Sequence, residues 1–222
     1  MKTCLLISGG PLDLLFAKNF ITARKYDCIV AADAGFSACL KLGIHPNLLV
    51  GDFDTFGREK IQSYLSDPKY QIEIHKPEKD ETDTELAFLR IREAGFQEVD
   101  VLGALGGRLD HELSNIHLLV HERKKGLQAN CYDAKNRIYI LDSEHKNEYN
   151  FSRSRQYGRY VSFLPITETV KGITLIGFKY PLQDKDISIL KNPSLCVSNE
   201  IRDETAVIKI KEGILVCVES VD

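Results

Sequence analysis

Five short apolar runs, each followed by a longer segment of helical periodicity, fill the chain up to about Lys125 and constrain its fold more than any other feature. The runs are "TCLLIS", "DCIVAA", "NLLVG", "YQIEIH" and "EVDVLG", and the intervening helices begin near Leu12, Phe36, Arg58, Thr82 and Arg108. Alternation of this kind builds a mostly parallel sheet with helices on its faces. A ligand of such a sheet lies beyond the carboxyl ends of the strands. After "ERKKG" the pattern changes to short strands punctuated by turns: "QANCYD", "NRIYILD", "RYVSFLP", "ITLIGF", "SLCVSNE", "TAVIKI" and "GILVCVE". The expected architecture is an α/β domain over residues 1–125 followed by an all-β, sandwich-like domain over residues 126–222.

With 222 residues, 43% of them hydrophobic, the chain can fill both cores. A net charge of -3 offers no global field for a nucleic-acid backbone or an anionic membrane, so any phosphate recognition must be local. Cys4, Cys28, Cys39, Cys131, Cys196 and Cys217 are scattered, with no CxxC pair, and read as thiols in a reducing compartment. Gly9, Gly10, Pro11 and Asp13 interrupt the apolar opening before it resembles a signal peptide. No run approaches the ~18 to 20 apolar residues of a membrane span, and a cytoplasmic location is expected.

The unusual polar residues gather where the strands end. "AADAG" places Asp33 and Gly35 after the second run, "GDFD" follows the third, "KPEKDETD" the fourth and "GALGGRLDH" the fifth. Taken singly, several have ordinary explanations. Asp33 suits the cap of the helix near Phe36. Thr82 and Glu85 fit a capping box, and Asp80 and Asp83 complement the dipole of the same helix. Asp52 and Asp54 resist such a reading, because a cap needs one oxygen. In an extended segment they would face one side about 6 to 7 Å apart, with a repulsion of about 2 to 3 kcal/mol at an effective dielectric of about 20. Converging carboxylates with no matching run of lysines suit Mg2+, which prefers oxygen and often shares its shell with substrate phosphates.

Gly103, Gly106 and Gly107 precede Arg108 at a helix start, where free N–H groups favour a phosphate, and Gly9 and Gly10 can serve likewise. Neither loop is a P-loop or a G-x-G-x-x-G fingerprint. His111, His117 and His121 share one helix, but their spacing is not that of a zinc site.

Through "AADAG", "LGIHPNLLVGDFDTF", "KPEKDETDTELA", "GALGGRLDHELSNIHLL", "VSFLP", "GFKYPL" and "VSNE", most of the chain resembles the thiamine pyrophosphokinase family. The resemblance implies an N-terminal domain that handles ATP and Mg2+ and a C-terminal β domain that helps form the thiamine site. It further implies a homodimer with its sites at the subunit interface. By motif, Asp52, Asp54 and Asp83 are the expected metal- and phosphate-organising carboxylates, and Arg108 and Asp110 the expected contacts to phosphate and substrate. Asp33, Gly35, Asp80, Thr82, Gly106, Gly107 and His111 are expected around the nucleotide. Ser198 and Asn199 are expected in the thiamine pocket. Ala34 and Thr55 stand where many relatives carry glycine and serine. The chain has no tryptophan, so Tyr180 is the candidate for stacking on thiamine.

The implied reaction is attack of the thiamine hydroxyl on the β-phosphorus of ATP, with AMP released, and Asp110 and His111 remain open as bases. Two alternatives are a pyrophosphokinase for another heterocyclic alcohol such as a pterin, and a non-catalytic nucleotide or thiamine sensor. An aspartyl phosphatase is disfavoured because "DFDTF" ends in Phe56 and follows the third strand, not the first.

Overall fold

The computed structural model describes residues 2–76, 78 and 80–222, apart from the Arg58 side chain. Pro77 and Lys79 of "KPEKDETD" therefore lie outside the described residues. The chain divides into two compact units, Met1–Ala134 and Lys135–Asp222.

The first unit alternates β1 (Cys4–Ile7), α1 (Leu14–Thr22), β2 (Cys28–Ala32), α2 (Gly35–Leu42), β3 (Leu48–Gly51), α3 (Arg58–Leu65), β4 (Gln71–Ile74), α4 (Asp83–Glu93), β5 (Glu98–Leu102), α5 (Leu109–Lys124) and β6 (Gln128–Tyr132). The strands are parallel, in the order β6-β5-β1-β2-β3-β4. Central β1 is buried along its whole length, as a continuous apolar run predicts for a strand covered on both faces. The chain runs outward from β1 to β4 and then returns to β1's other side as β5. That reversal is the topological switch point at which ligands of open α/β sheets bind. The loops leaving β1 and β5 touch there: Ser8 N–H donates to Leu102 O at 2.8 Å and Gly10 N–H to Gly103 O at 2.9 Å. A Cβ on Gly10 would stand 2.5 Å from Gly103 O, so the approach requires glycine.

Local chemistry sets the helix starts. Asp13 caps α1 by accepting from Leu15 N–H and Phe16 N–H at 2.9 and 3.0 Å. Thr82 caps α4 through Oγ1, which accepts from Glu85 N–H at 3.2 Å. Thr82→Ala is expected to cost about 1 kcal/mol of stability by removing that acceptor. Urea unfolding of the two proteins side by side measures it, and an unchanged midpoint would mean the cap contributes nothing.

The second unit holds β7 (Asn136–Asp142), β8 (Glu148–Ser152), β9 (Tyr160–Pro165), β10 (Thr169–Ile176), β11 (Leu182–Ser188), β12 (Asn199–Glu200), β13 (Thr205–Lys209) and β14 (Ile214–Ser220). One antiparallel sheet runs β12-β9-β14-β7 and the other β11-β10-β13-β8. Inner residues of both, among them Leu141, Phe163 and Cys217 from one and Phe151, Ile173 and Ile208 from the other, form one core. This is the expected antiparallel sandwich. Its start differs from the expected Gly126, because "QANCY" pairs in parallel with β5 and so joins the first unit. "SLCVSNE" also forms only two residues of strand, since Ser198 has a φ of 56° that breaks an extended run.

Candidate active site

At the switch point the loops after β1, β2, β3 and β5 and the first turns of α4 and α5 surround a cleft of about 730 Å³. Its acidic wall begins where β3 stops. Gly51 is the last strand residue, and Phe53, fully buried, has a φ of 57°. Phe56 is buried too, its ring 5.0 Å from that of Phe36, so the two phenylalanines pin "GDFDTF" to the core. The alternation expected of an extended segment therefore does not operate. Asp52 lines the cleft, whereas Asp54 enters a turn, exposed, with its N–H donating to Asp52 Oδ1 at 3.0 Å.

The carboxylates brought together are Asp33, Asp52 and Asp83, whose oxygens lie within 4.8 Å of one another. At an effective dielectric of about 20, each pair at that spacing repels by about 3 to 4 kcal/mol. Asp33 is available for this because it does not cap α2: the cap residue is Ala34, with no side-chain bond. Instead Asp33 adopts a φ of 43° after β2. Burial pushes its carboxyl above the ordinary value, and Asp83 and Asp52 push the same way. Hydrogen bonds from Ala34 N–H and Thr55 act in the opposite direction. Asp33 Oδ1 is nevertheless buried with no hydrogen-bond donor against it among the described residues. An orphaned carboxylate oxygen inside an all-oxygen trio is the donor set that a hard divalent cation satisfies.

Another part of the lining is suited to anions. Gly106, Gly107, Arg108, Asp110 and His111 all line the cleft at the start of α5. The Arg108 guanidinium grips Asp110 with two bonds, Nη2 to Oδ2 at 2.6 Å and Nε to Oδ1 at 3.1 Å. That pair holds the Asp110 carboxyl below its usual range. With both side chains well exposed, it orients the guanidinium more than it stabilises the fold.

Of the other expected residues, Thr82 lines the cleft as well as capping α4. Asp80 is exposed and not among the described lining residues. Gly35 is buried beneath the end of β1, where it serves packing. Sequence reasoning missed Ser8 and Thr84, whose hydroxyls share a buried 2.7 Å hydrogen bond and tie β1 to α4 beside Asp83. It also missed Asn115, whose Nδ2 donates to Ala104 O at 2.7 Å and fixes the loop after β5. Nothing distinguishes such residues in a bare sequence. His121 bonds at 3.1 Å to fully buried Glu122, which also accepts from Arg92 Nε at 2.6 Å. It thus has a structural role.

Tyr180, Ser198 and Asn199 belong to the second unit. The buried Asn199 amide brackets Tyr180, accepting from its N–H at 3.0 Å and donating to its carbonyl at 2.9 Å. The Tyr180 ring is left 58% exposed. Ser198 is exposed, its N–H donating to Ser162 Oγ at 2.9 Å.

Two family models match the chain: "Thiamin pyrophosphokinase, catalytic domain" over residues 21–131 and "Thiamin pyrophosphokinase, vitamin B1 binding domain" over residues 146–215. Thiamine pyrophosphokinase of Bacillus subtilis (strain 168) is 31% identical over 222 residues, covering all of both chains. A crystal structure of thiamine pyrophosphokinase from Bacillus subtilis aligns over all of both chains with a TM-score of 0.84 at 29% identity. The structure of thiamin pyrophosphokinase from Geobacillus thermodenitrificans aligns over 99% of this chain and 98% of that one, with a TM-score of 0.82 at 31% identity.

Proposed function

Because the chain belongs to the thiamin pyrophosphokinase family, we propose that it transfers a diphosphoryl group from ATP to the hydroxyl of thiamine, with Mg2+ required, giving thiamine diphosphate and AMP. The observation that carries this reading is that the trio of Asp33, Asp52 and Asp83 lines one cleft together with the glycine loop and Arg108. The three carboxylates would hold Mg2+, with nearby Asp54 available as a further oxygen ligand. When bound, the ion supplies positive charge to the oxygens of the transferred group.

Positioning is the protein's main task, as in phosphoryl transfers generally. N–H groups of Gly106 and Gly107 and the guanidinium of Arg108 hold the phosphates, with Asp110 keeping Arg108 aimed. The thiamine hydroxyl oxygen forms a bond to the β-phosphorus. The bridging bond to the α-phosphate breaks with its electron pair passing to AMP, and the hydroxyl proton leaves to solvent. The second unit supplies the Tyr180 ring and Ser198 to thiamine, with Asn199 bracketing the tyrosine.

The chain acts as a homodimer with its sites at the subunit interface. Exposed Leu190, Leu195 and Val197, close in sequence to Ser198, support a covered face there. A cytoplasmic location is supported by six free cysteines, five of them buried. Among the described residues no helix is long and apolar enough to cross a membrane.

Incubation of the purified chain with ATP and Mg2+, with and without thiamine and with EDTA, tests the reading. Thiamine diphosphate and AMP are expected in equal amounts, only with thiamine present, and not in EDTA. Binding of both substrates without AMP would favour a sensor. Failure with thiamine and success with another heterocyclic alcohol would replace the acceptor.

A further inference from the structure

Strand register places Arg137, Tyr139 and Leu141 of β7 opposite Glu219, Cys217 and Leu215 of β14. Tyr139, Leu141, Cys217 and Leu215 belong to the core of the second unit, so alternation turns Arg137 and Glu219 to that same inner face. An inward ion pair is a poor substitute for apolar side chains of similar volume. Its presence marks the end of the sandwich where the core gives way to a polar space.

That space is a cavity of about 460 Å³, within the roughly 300 to 1,000 Å³ that small-molecule pockets occupy. Tyr139, Tyr149 and Phe151 give it aromatic walls, and Arg137 and Arg155 give it positive charge. Most of its polar groups are engaged. Glu219, 2% exposed, accepts from Arg137 Nη1 at 3.3 Å, the Tyr139 hydroxyl at 2.9 Å and Tyr157 N–H at 2.6 Å. The Tyr149 hydroxyl accepts from Asp142 N–H at 3.0 Å and donates to Asp142 O at 2.8 Å. Gln156 Oε1 is buried, and no donor among the described residues reaches it. A structural role explains Glu219, which tethers the loop before β9 through Tyr157. It leaves the acceptor one residue earlier unexplained.

We propose that this cavity is a binding site for a small planar molecule that donates an N–H to Gln156 Oε1 and carries no positive charge. Flat aromatic walls suit a ring. The remaining acceptor calls for a donor. Two arginines and one carboxylate line the cavity, and that carboxylate already receives three donors, which disfavours a cation. All of these residues lie in the second unit, so the inference stands apart from the reading of the carboxylate cleft.

Nicotinamide and methyl nicotinate are neutral, near-planar probes of similar size, of which only the amide carries an N–H donor. Titrated into the full ¹⁵N-labelled chain, nicotinamide is expected to shift the amide resonances of residues 155–157 saturably. The ester probe is expected to bind at least tenfold more weakly. Gln156→Leu should weaken nicotinamide by a similar factor while leaving thiamine diphosphate formation unchanged. The proposal is overturned if nicotinamide gives no saturable shift, if the two probes bind alike, or if a folded Gln156→Leu binds as the unaltered chain does. Comparing the probes on the unaltered chain keeps the test decisive even if the variant does not fold.

Discussion

Asp52→Asn is expected to lower thiamine diphosphate formation by roughly 10²- to 10³-fold, the loss typical when one preorganised electrostatic group is removed from an active site. The substitution keeps the shape of the side chain and removes its charge. Asn Oδ1 can still accept from Asp54 N–H, which now lies 3.0 Å from Asp52 Oδ1, so the turn after β3 remains formed. Removing one of three carboxylates whose oxygens lie within 4.8 Å also relieves repulsion in the metal-free protein. Steady-state rates at saturating Mg2+ and a thermal unfolding curve, taken on the same preparation, separate the two effects. A large loss of rate at an unchanged or raised midpoint is expected. An unaltered rate would remove Asp52 from the chemistry, and a collapsed midpoint would make its role structural.

Gly35→Ala is expected to have the largest effect on stability, at least about 4 kcal/mol, the range reached when buried backbone must be displaced. A Cβ at this position would run into the carbonyl oxygen of Ile7, stand 2.8 Å from the Ile7 carbonyl carbon and 3.1 Å from Ser8 O. These are backbone atoms at the end of the central strand. They cannot move aside as a flexible side chain does. Since Ser8 also bonds to Thr84 beside Asp83, any shift of β1 would disturb the carboxylate wall as well. Urea unfolding should show a much lower midpoint, or the variant should fail to accumulate as folded protein. A midpoint near that of the unaltered chain would show that α2 can slide on β1.

The first unit is legible because its inner strands read as short apolar runs, each followed by a helical segment, so all five expected strands and all five helix starts lie within a few residues of their observed places. Order across the sheet is another matter. No local pattern says that β5 returns to the far side of β1, yet that return creates the cleft. In the second unit β8 and β11 escaped notice. Both are edge strands of the four-stranded sheet, and "EYNFS" and "LQDKDIS" carry the polar side chains that edges tolerate.

The acidic loops were legible as a group, and their neighbourhood at the strand ends follows from parallel topology alone. Assigning each carboxylate needed the backbone. Asp33 looks like a cap until Ala34 is found to occupy that place, and Asp54 looks like the partner of Asp52 until the left-handed Phe53 turns the chain between them. A positive φ in a residue other than glycine leaves no mark on the sequence. The same holds for Ser198, which ends the extended run of "SLCVSNE".

The central claim is that Asp33, Asp52 and Asp83 form one divalent-cation site. Mn2+ binding followed by electron paramagnetic resonance, without nucleotide, tests it on the unaltered chain and on Asp33→Asn, Asp52→Asn and Asp83→Asn. One site on the unaltered chain, weakened at least tenfold in each variant, is the predicted result. A site that persists unweakened in Asp33→Asn and Asp83→Asn would contradict the account.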